Sequence, residues 1–293
     1  MNANAQCVTC LLDKQERIVR PFPDENKKSD FIAEVLKLLY EHAKTEPAPW
    51  LYMKIEEIYA RYYEPVIDYP AIKHKYNQYM LSKESIVEEI IMNSEDPIAE
   101  GIKYACAGNF IDFGAMAEVD DSILEDLLAN ASENSVDPDE LSAFKAELSA
   151  SKELVYLTDN CGEVVMDKLF IKAIKKLYPN LHISVIVRSG IALNDANMED
   201  AIEIGLPDLV TVVESGAACT GTVPKILTDE AKAVLDAADV VISKGQGNFE
   251  GMHGNGYNVY YLFLCKCDMY VRRFGLKRFT AVFSNEKNIK TIC

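Results

Sequence analysis

Leu154-Val-Tyr-Leu-Thr-Asp159-Asn160-Cys-Gly162-Glu163 decides how this chain is read. A short apolar run stops at two oxygen-bearing side chains, and a Gly and an acid then open an apparent helix. α/β sheets place ligand chemistry at the carboxyl ends of their strands in this way. The pattern recurs twice, in a run ending at Arg188 with Asn194-Asp195 behind it, and in one ending at Lys244-Gly-Gln-Gly-Asn248. Polar clusters at three strand ends can converge on one site, where one alone would carry little.

Working outward, the hydrophobic period changes near residue 153. Segments 153–158, 182–187, 208–213 and 239–243 are short and rich in β-formers, and helical patterns lie between them at 163–177, 198–204 and 228–237. Strand alternating with helix predicts a doubly wound, mostly parallel, Rossmann-like sheet over residues 151–293. Residues 257–265 read as a further helix and 278–283 as a late strand. Residues 1–150 read as a helical domain packed on that sheet. In 31–40 and 85–92 the apolar positions recur at three and four, and Pro47, Pro49, Pro65, Pro70 and Pro97 punctuate the helices. The tyrosines between 52 and 79 read as helix packing. The fold class is α/β.

The chain has 293 residues and a formal charge of −16, from 30 basic and 46 acidic side chains. Such an excess argues against sequence-independent binding to nucleic acid or an anionic membrane, which needs clustered Lys and Arg. Anionic small substrates stay open, because a bound dication inverts the local field. No apolar run approaches the roughly 20 residues that span a bilayer, and the N-terminal residues lack the pattern of a secretory signal. A cytoplasmic protein with reduced thiols is the expectation.

Asp159, Asn160 and Asp195 offer carboxylate and amide oxygens, which suit Mg²⁺, Mn²⁺ or a similar ion. Each could equally cap the helix that follows it. Arg188 has the fork of donors that clamps a phosphate, although a surface ion pair is the plainer reading. Lys244 beside Gly245 and Gly247 could bring an ammonium and backbone N–H groups close to an anion. The spacing is neither that of a Walker loop nor that of a dinucleotide fingerprint, whose third Gly would fall at 250 and here stands at 251. Glu214-Ser-Gly216 leading to Thr220-Gly-Thr222 supplies hydroxyls and amides of the same kind. Of the histidines, only His253 follows closely on one of these clusters.

Taken together and in this order, the segments resemble the damage-control phosphatases, a family with an acidic-residue-methyltransferase-like metal-binding domain. Asp159-Asn160-Cys-Gly162-Glu163, Arg188 with Asn194-Asp195-Ala196, and Lys244-Gly-Gln-Gly-Asn-Phe-Glu250 carry the resemblance. Cys7-Val-Thr-Cys10 and Gly108-Asn109-Phe-Ile-Asp112-Phe-Gly114 are similar to the family's smaller prokaryotic branch. The resemblance implies a divalent metal (Mn²⁺, Co²⁺, Ni²⁺ or Mg²⁺) held by Asp159, Asn160 and Asp195. It implies hydrolysis of small phosphorylated metabolites such as sugar phosphates. Asp159, Asp195 and Lys244 would be catalytic, and Glu163, Arg188, Asn194, Gly245, Asn248, Asn109 and Asp112 would line the substrate side. Phosphoryl transfer chiefly requires positioning and neutralisation of the phosphate oxygens. Arg188, Lys244 and the amides after Gly162 would supply these. Either Asp159 or a metal-bound water could be the nucleophile.

Cys7 and Cys10 fall on one face of a helix, and Cys265 and Cys267 lie near a predicted helix end. Their spacings are unusual for zinc, so reduced, partly buried thiols are expected. Two other classes stay open. One is an S-adenosylmethionine-dependent carboxyl methyltransferase, against which the absence of a glycine-rich first turn counts. The other is a non-catalytic metal- or phosphometabolite-binding module. The sequence leaves the oligomeric state open.

Overall fold

The computed structural model describes residues 1–111 and 121–289. Seven helices precede the first strand among these residues: α1 (Ala5–Val19), α2 (Glu25–His42), α3 (Ala48–Tyr62), α4 (Tyr69–Asn93), α5 (Pro97–Gly108), α6 (Asp121–Ala129) and α7 (Pro138–Ala150). Asn4, Asp24, Asp68, Asp96 and Asp137 accept N–H bonds at helix starts, and Pro opens α4, α5 and α7 where its missing N–H costs nothing.

The rest alternates as β1 (Glu153–Leu157), α8 (Glu163–Leu177), β2 (His182–Val187), α9 (Met198–Glu203), β3 (Thr211–Glu214), α10 (Asp229–Asp236), β4 (Val240–Lys244), α11 (Gly245–Met252), β5 (Val259–Leu264), α12 (Asp268–Phe274) and β6 (Ala281–Asn285). The strand order is β3-β2-β1-β4-β5-β6, parallel except for β6. Alternate side chains feed opposite layers. Leu154, Tyr156, Val240 and Ile242 pack with α4, α5 and α8, whereas Val155, Leu157, Val241 and Tyr261 pack beneath α10, α11 and α12. The first of these cores runs across residue 150 without a break, and α1–α3 hold a core of their own.

Three expectations need correction. Residues 257–265 form β5, not a helix: the strand is buried at every position between β4 and β6, so Val259-Tyr-Tyr-Leu-Phe-Leu264 shows no alternation to read. The strand expected at 208–213 begins only at Thr211, because Leu209 and Val210 both donate to the carbonyl of Leu206 in a turn. The supposed glycine turn after β4 is the helix α11.

Candidate active site

In this strand order, chain connections diverge on either side of β1 and β4, which opens a crevice at their carboxyl ends. Asp159 and Asn160 follow β1. The segment after β2 returns to meet them, with Asn160 and Asp195 paired in an antiparallel bridge. Ala196 N donates to Asp159 O at 2.7 Å and Cys161 N to Asn194 O at 2.8 Å. This return needs a sharp reversal, and Leu193 makes it with φ +52, a region costly for a branched side chain. The Leu193 side chain is anchored in the α1–α3 core. Asp159, Asn160 and Asp195 thereby line one cavity of about 240 Å³.

Behind the cavity, buried groups fix these three. Asn160 Nδ2 donates to Asp159 Oδ2 and to Glu163 Oε2, both at 2.8 Å. Carboxylate oxygens only accept, so the orientation of the amide is chemically determined and Oδ1 is the atom left for a cation. Asn109, from the end of α5, donates to Asp159 Oδ2 and to both oxygens of Glu163 at 2.9–3.0 Å, and accepts from Leu264 N. Arg188 is wholly buried and holds one partner with each nitrogen: Asp195 Oδ2 at 2.8 Å, Thr222 Oγ1 at 3.0 Å and Asn248 Oδ1 at 3.0 Å. Asn248 in turn donates to the carbonyls of Thr158 and Lys244, stitching β1 to α11.

Lys244 shares the sheet face of Val240 and Ile242, so it points under α5 and α8 and away from the cavity. Its Nζ donates to Ala105 O at 2.8 Å and to Glu163 and Asp167 at 2.6 Å each, which uses all three of its protons. Burial works to lower its pKa, but the adjacent Asp167 and Glu163 more than offset this and raise it. Burial pushes the Asp167 carboxyl above the usual range, opposed by the Lys244 ammonium.

On the cavity side of β4 stands α11. Gly245 has φ +76, and a Cβ there would lie 1.9 Å from Asp159 Oδ2, so only glycine lets the helix start against that carboxylate. Gly247 abuts the Thr220 carbonyl, where a Cβ would come within 2.0 Å. The glycines therefore serve close packing. α11 has no side-chain cap at its N terminus. Gln246 lines the cavity at 9 % exposure, and among the described residues its Nε2 has no acceptor. An uncapped helix start beside an unpartnered buried donor is suited to an anion.

Of the residues expected from the sequence, Asp159, Asn160 and Asp195 line the cavity, and Asn109, Glu163, Arg188, Asn248 and Lys244 stand behind them. Asn194 donates to Ile111 O at 3.1 Å. Asp112 lies outside the described residues. The amides after Gly162 are engaged within the protein: Gly162 N donates to Asn77 Oδ1 and Val164 N to Asn160 O. His253 stacks on Phe249 and pairs with Glu286. Sequence reasoning missed Gln246, masked by the glycines on either side. It also missed Lys266, which donates to Asn109 O at 2.5 Å; once 257–265 was read as helix, Lys266 no longer stood at a strand end.

Carboxylate and amide oxygens with room for water are what an oxygen-preferring dication takes, and Asp159, Asn160 and Asp195 fit that description. Among the described residues no group of three His, Cys, Asp or Glu is arranged to hold a metal ion, so a cation here depends on the Asn160 amide. Cys7, Cys10 and Cys267 line the same cavity. Burial pushes the Cys7 thiol up to about 11 and raises Cys267, which keeps both in the unreactive thiol form near neutrality.

Comparison with known proteins bears on the family and the fold. The damage-control phosphatase of Archaeoglobus fulgidus is 28% identical over 94% of this chain and 96% of its own length. Damage-control phosphatase PH1575 of Pyrococcus horikoshii is 26% identical over 98% and 99%. The crystal structure of PH1575, described as a DUF89 family protein, superposes with a TM-score of 0.76 at 25% identity, covering 98% of this chain and 99% of that one. The family model for the damage-control phosphatase ARMT1-like domain matches residues 3–282. With Asp159, Asn160 and Asp195 gathered at the crevice of a doubly wound sheet and that model spanning nearly its whole length, the chain belongs to the damage-control phosphatase ARMT1-like family.

Proposed function

We propose that this protein hydrolyses phosphate esters of small metabolites, with a divalent cation (Mn²⁺, Co²⁺, Ni²⁺ or Mg²⁺) held by Asp159, Asn160 and Asp195. One observation carries the reading: an oxygen-donor set and Gln246, whose buried Nε2 is unpartnered among the described residues, line the same cavity. When bound, a dication neutralises phosphate oxygens and lowers the pKa of a coordinated water. Gln246 Nε2 and the first N–H groups of α11 receive the remaining phosphate oxygens. Arg188 aims Asp195 through its Nε contact at 2.8 Å. Glu163 and Asn109 hold Asn160 and Asp159 in register, and Lys244 balances Glu163. Lys244 and Arg188 are thus positioning residues, not phosphate ligands.

The test is inorganic phosphate release from p-nitrophenyl phosphate and from sugar phosphates, with and without added Mn²⁺, Co²⁺, Ni²⁺ or Mg²⁺. Turnover should require a cation. Asp159→Ala should lower kcat/KM about a thousandfold, the scale of losing the metal's contribution, with the melting transition retained. Undiminished activity in the folded variant would reject the assignment.

A further inference from the structure

A second cavity, of about 750 Å³, adjoins the catalytic one, and Tyr52, Leu193 and Thr220 line both. We infer that the two cavities form one substrate site, and that the substrate is a phosphate monoester whose body is a long, uncharged, apolar group. The inference rests on the phosphatase reading and specifies what that reading leaves open.

Size comes first. A chamber of about 240 Å³ has room for a phosphate, a cation and a small body, whereas the groove is about three times larger and within the range of pockets for ligands of drug size. Composition comes second. The groove runs between α3 and the loops after β2 and β3, and its rim exposes apolar side chains: Val66 at 72 %, Ile67 at 50 % and Ile191 at 44 %. Apolar side chains gathered around a cavity mark a binding surface more often than scattered ones do. Tyr59, Tyr63 and Tyr69 add aromatic wall.

Charge is the third consideration. The ionisable groups of the groove besides its tyrosines are Lys54, Glu56 and Glu57, and Lys54 Nζ is bound to Glu57 at 2.7 Å. Glu56 is tied to the Tyr52 hydroxyl. The groove therefore offers no cationic cluster for a second phosphate, which disfavours nucleotides and sugar bisphosphates. Tyr52 stands at the junction, on the face of α3 that meets Leu193, next to the reversal that delivers Asp195.

The experiment uses the full chain with Mn²⁺ and a series of n-alkyl phosphates from ethyl to octyl, compared with a sugar phosphate. Each buried methylene contributes about 0.8 kcal/mol, so kcat/KM should rise roughly threefold to fourfold per carbon until the groove is filled. Ala60→Trp, at an exposed groove position on α3, should flatten the series and leave ethyl phosphate within twofold. Ile67→Glu should do the same from the opposite wall. If ethyl phosphate is hydrolysed and the series is flat in the unmodified protein, the groove assignment falls and the phosphatase reading stands. If no ester turns over with any cation, the phosphatase reading falls. Calorimetry with the matching alkylphosphonates then decides the groove alone, with chain-length-independent binding overturning it.

Discussion

Gln246 and Lys244 are two residues apart and do opposite things. Lys244 is the last residue of β4 and inherits its alternation, so its ammonium is sealed beneath α5 and α8 with three acceptors. Gln246 is in the first turn of α11 and lines the cavity, with its buried Nε2 unpartnered among the described residues. On the phosphate-binding role proposed for it, Gln246→Leu would remove a hydrogen bond to a charged group, worth about 1.5–3 kcal/mol. KM for a phosphate ester should rise about tenfold or more, and inorganic phosphate should inhibit correspondingly less, as measured by steady-state kinetics. Glu250 gives a second prediction. Burial raises its carboxyl to about 7, only partly offset by the Tyr270 hydroxyl and the N-terminal ammonium. In the unfolded chain a glutamic acid titrates near 4.3. Between these values the folded state binds the extra proton, so stability falls as pH rises through this window and levels off above about 7. Glu250→Gln removes the dependence: its melting temperature should drop less between pH 5 and pH 8 than that of the unmodified protein, by a few degrees.

Among the elements, α11 and β5 set the precision of the site. α11 lies flat on the backbone of residues 220–222 because Gly247 has no Cβ to hold it off the Thr220 carbonyl. Gly247→Ala must push the helix outward, at a cost of about 3 kcal/mol by the measure of overpacked cores. Urea denaturation should show that loss, and displacement of Gln246 should cut activity with it. The strand β5 shows where local pattern fails. β1, β2 and β4 are legible because each apolar run ends in a polar cluster, but β5 is apolar at all six positions and ends in Cys265-Lys266-Cys267. Only its pairing with β4 and β6 identifies it as a strand.

At the scale of the whole molecule, the helices before β1 do not form a detachable cap. Gly101 of α5 packs so closely on Phe170 of α8 that a Cβ would come within 2.5 Å of its ring. Ala105 O accepts from Lys244, and Asn109 reaches Asp159 and Leu264. Residues 151–293 alone would expose this face and leave Lys244, Glu163 and Asp167 against water. That fragment should bind a hydrophobic dye and melt without cooperativity, the behaviour of a state that has lost specific packing, whereas the full chain should unfold in one transition. A sharp calorimetric transition in the fragment would contradict this. No helix among the described residues is long and apolar enough to cross a membrane.

By itself the sequence determined the α/β class, the bounds of β1 and β2 to within a residue, and Asp159, Asn160 and Asp195 as oxygen donors that could meet at strand ends. These are local matters: hydrophobic period, helix starts, and hard oxygen donors at strand ends are written in consecutive residues. The tertiary structure alone decided which polar side chains face the cavity and which are sealed behind it. Lys244, Arg188 and Gln246 look alike as polar residues near glycines, and their roles separate only when packing decides which faces are dry. A buried cation must then find acceptors inside the protein, and Gln246 at the cavity wall keeps a buried donor with none among the described residues.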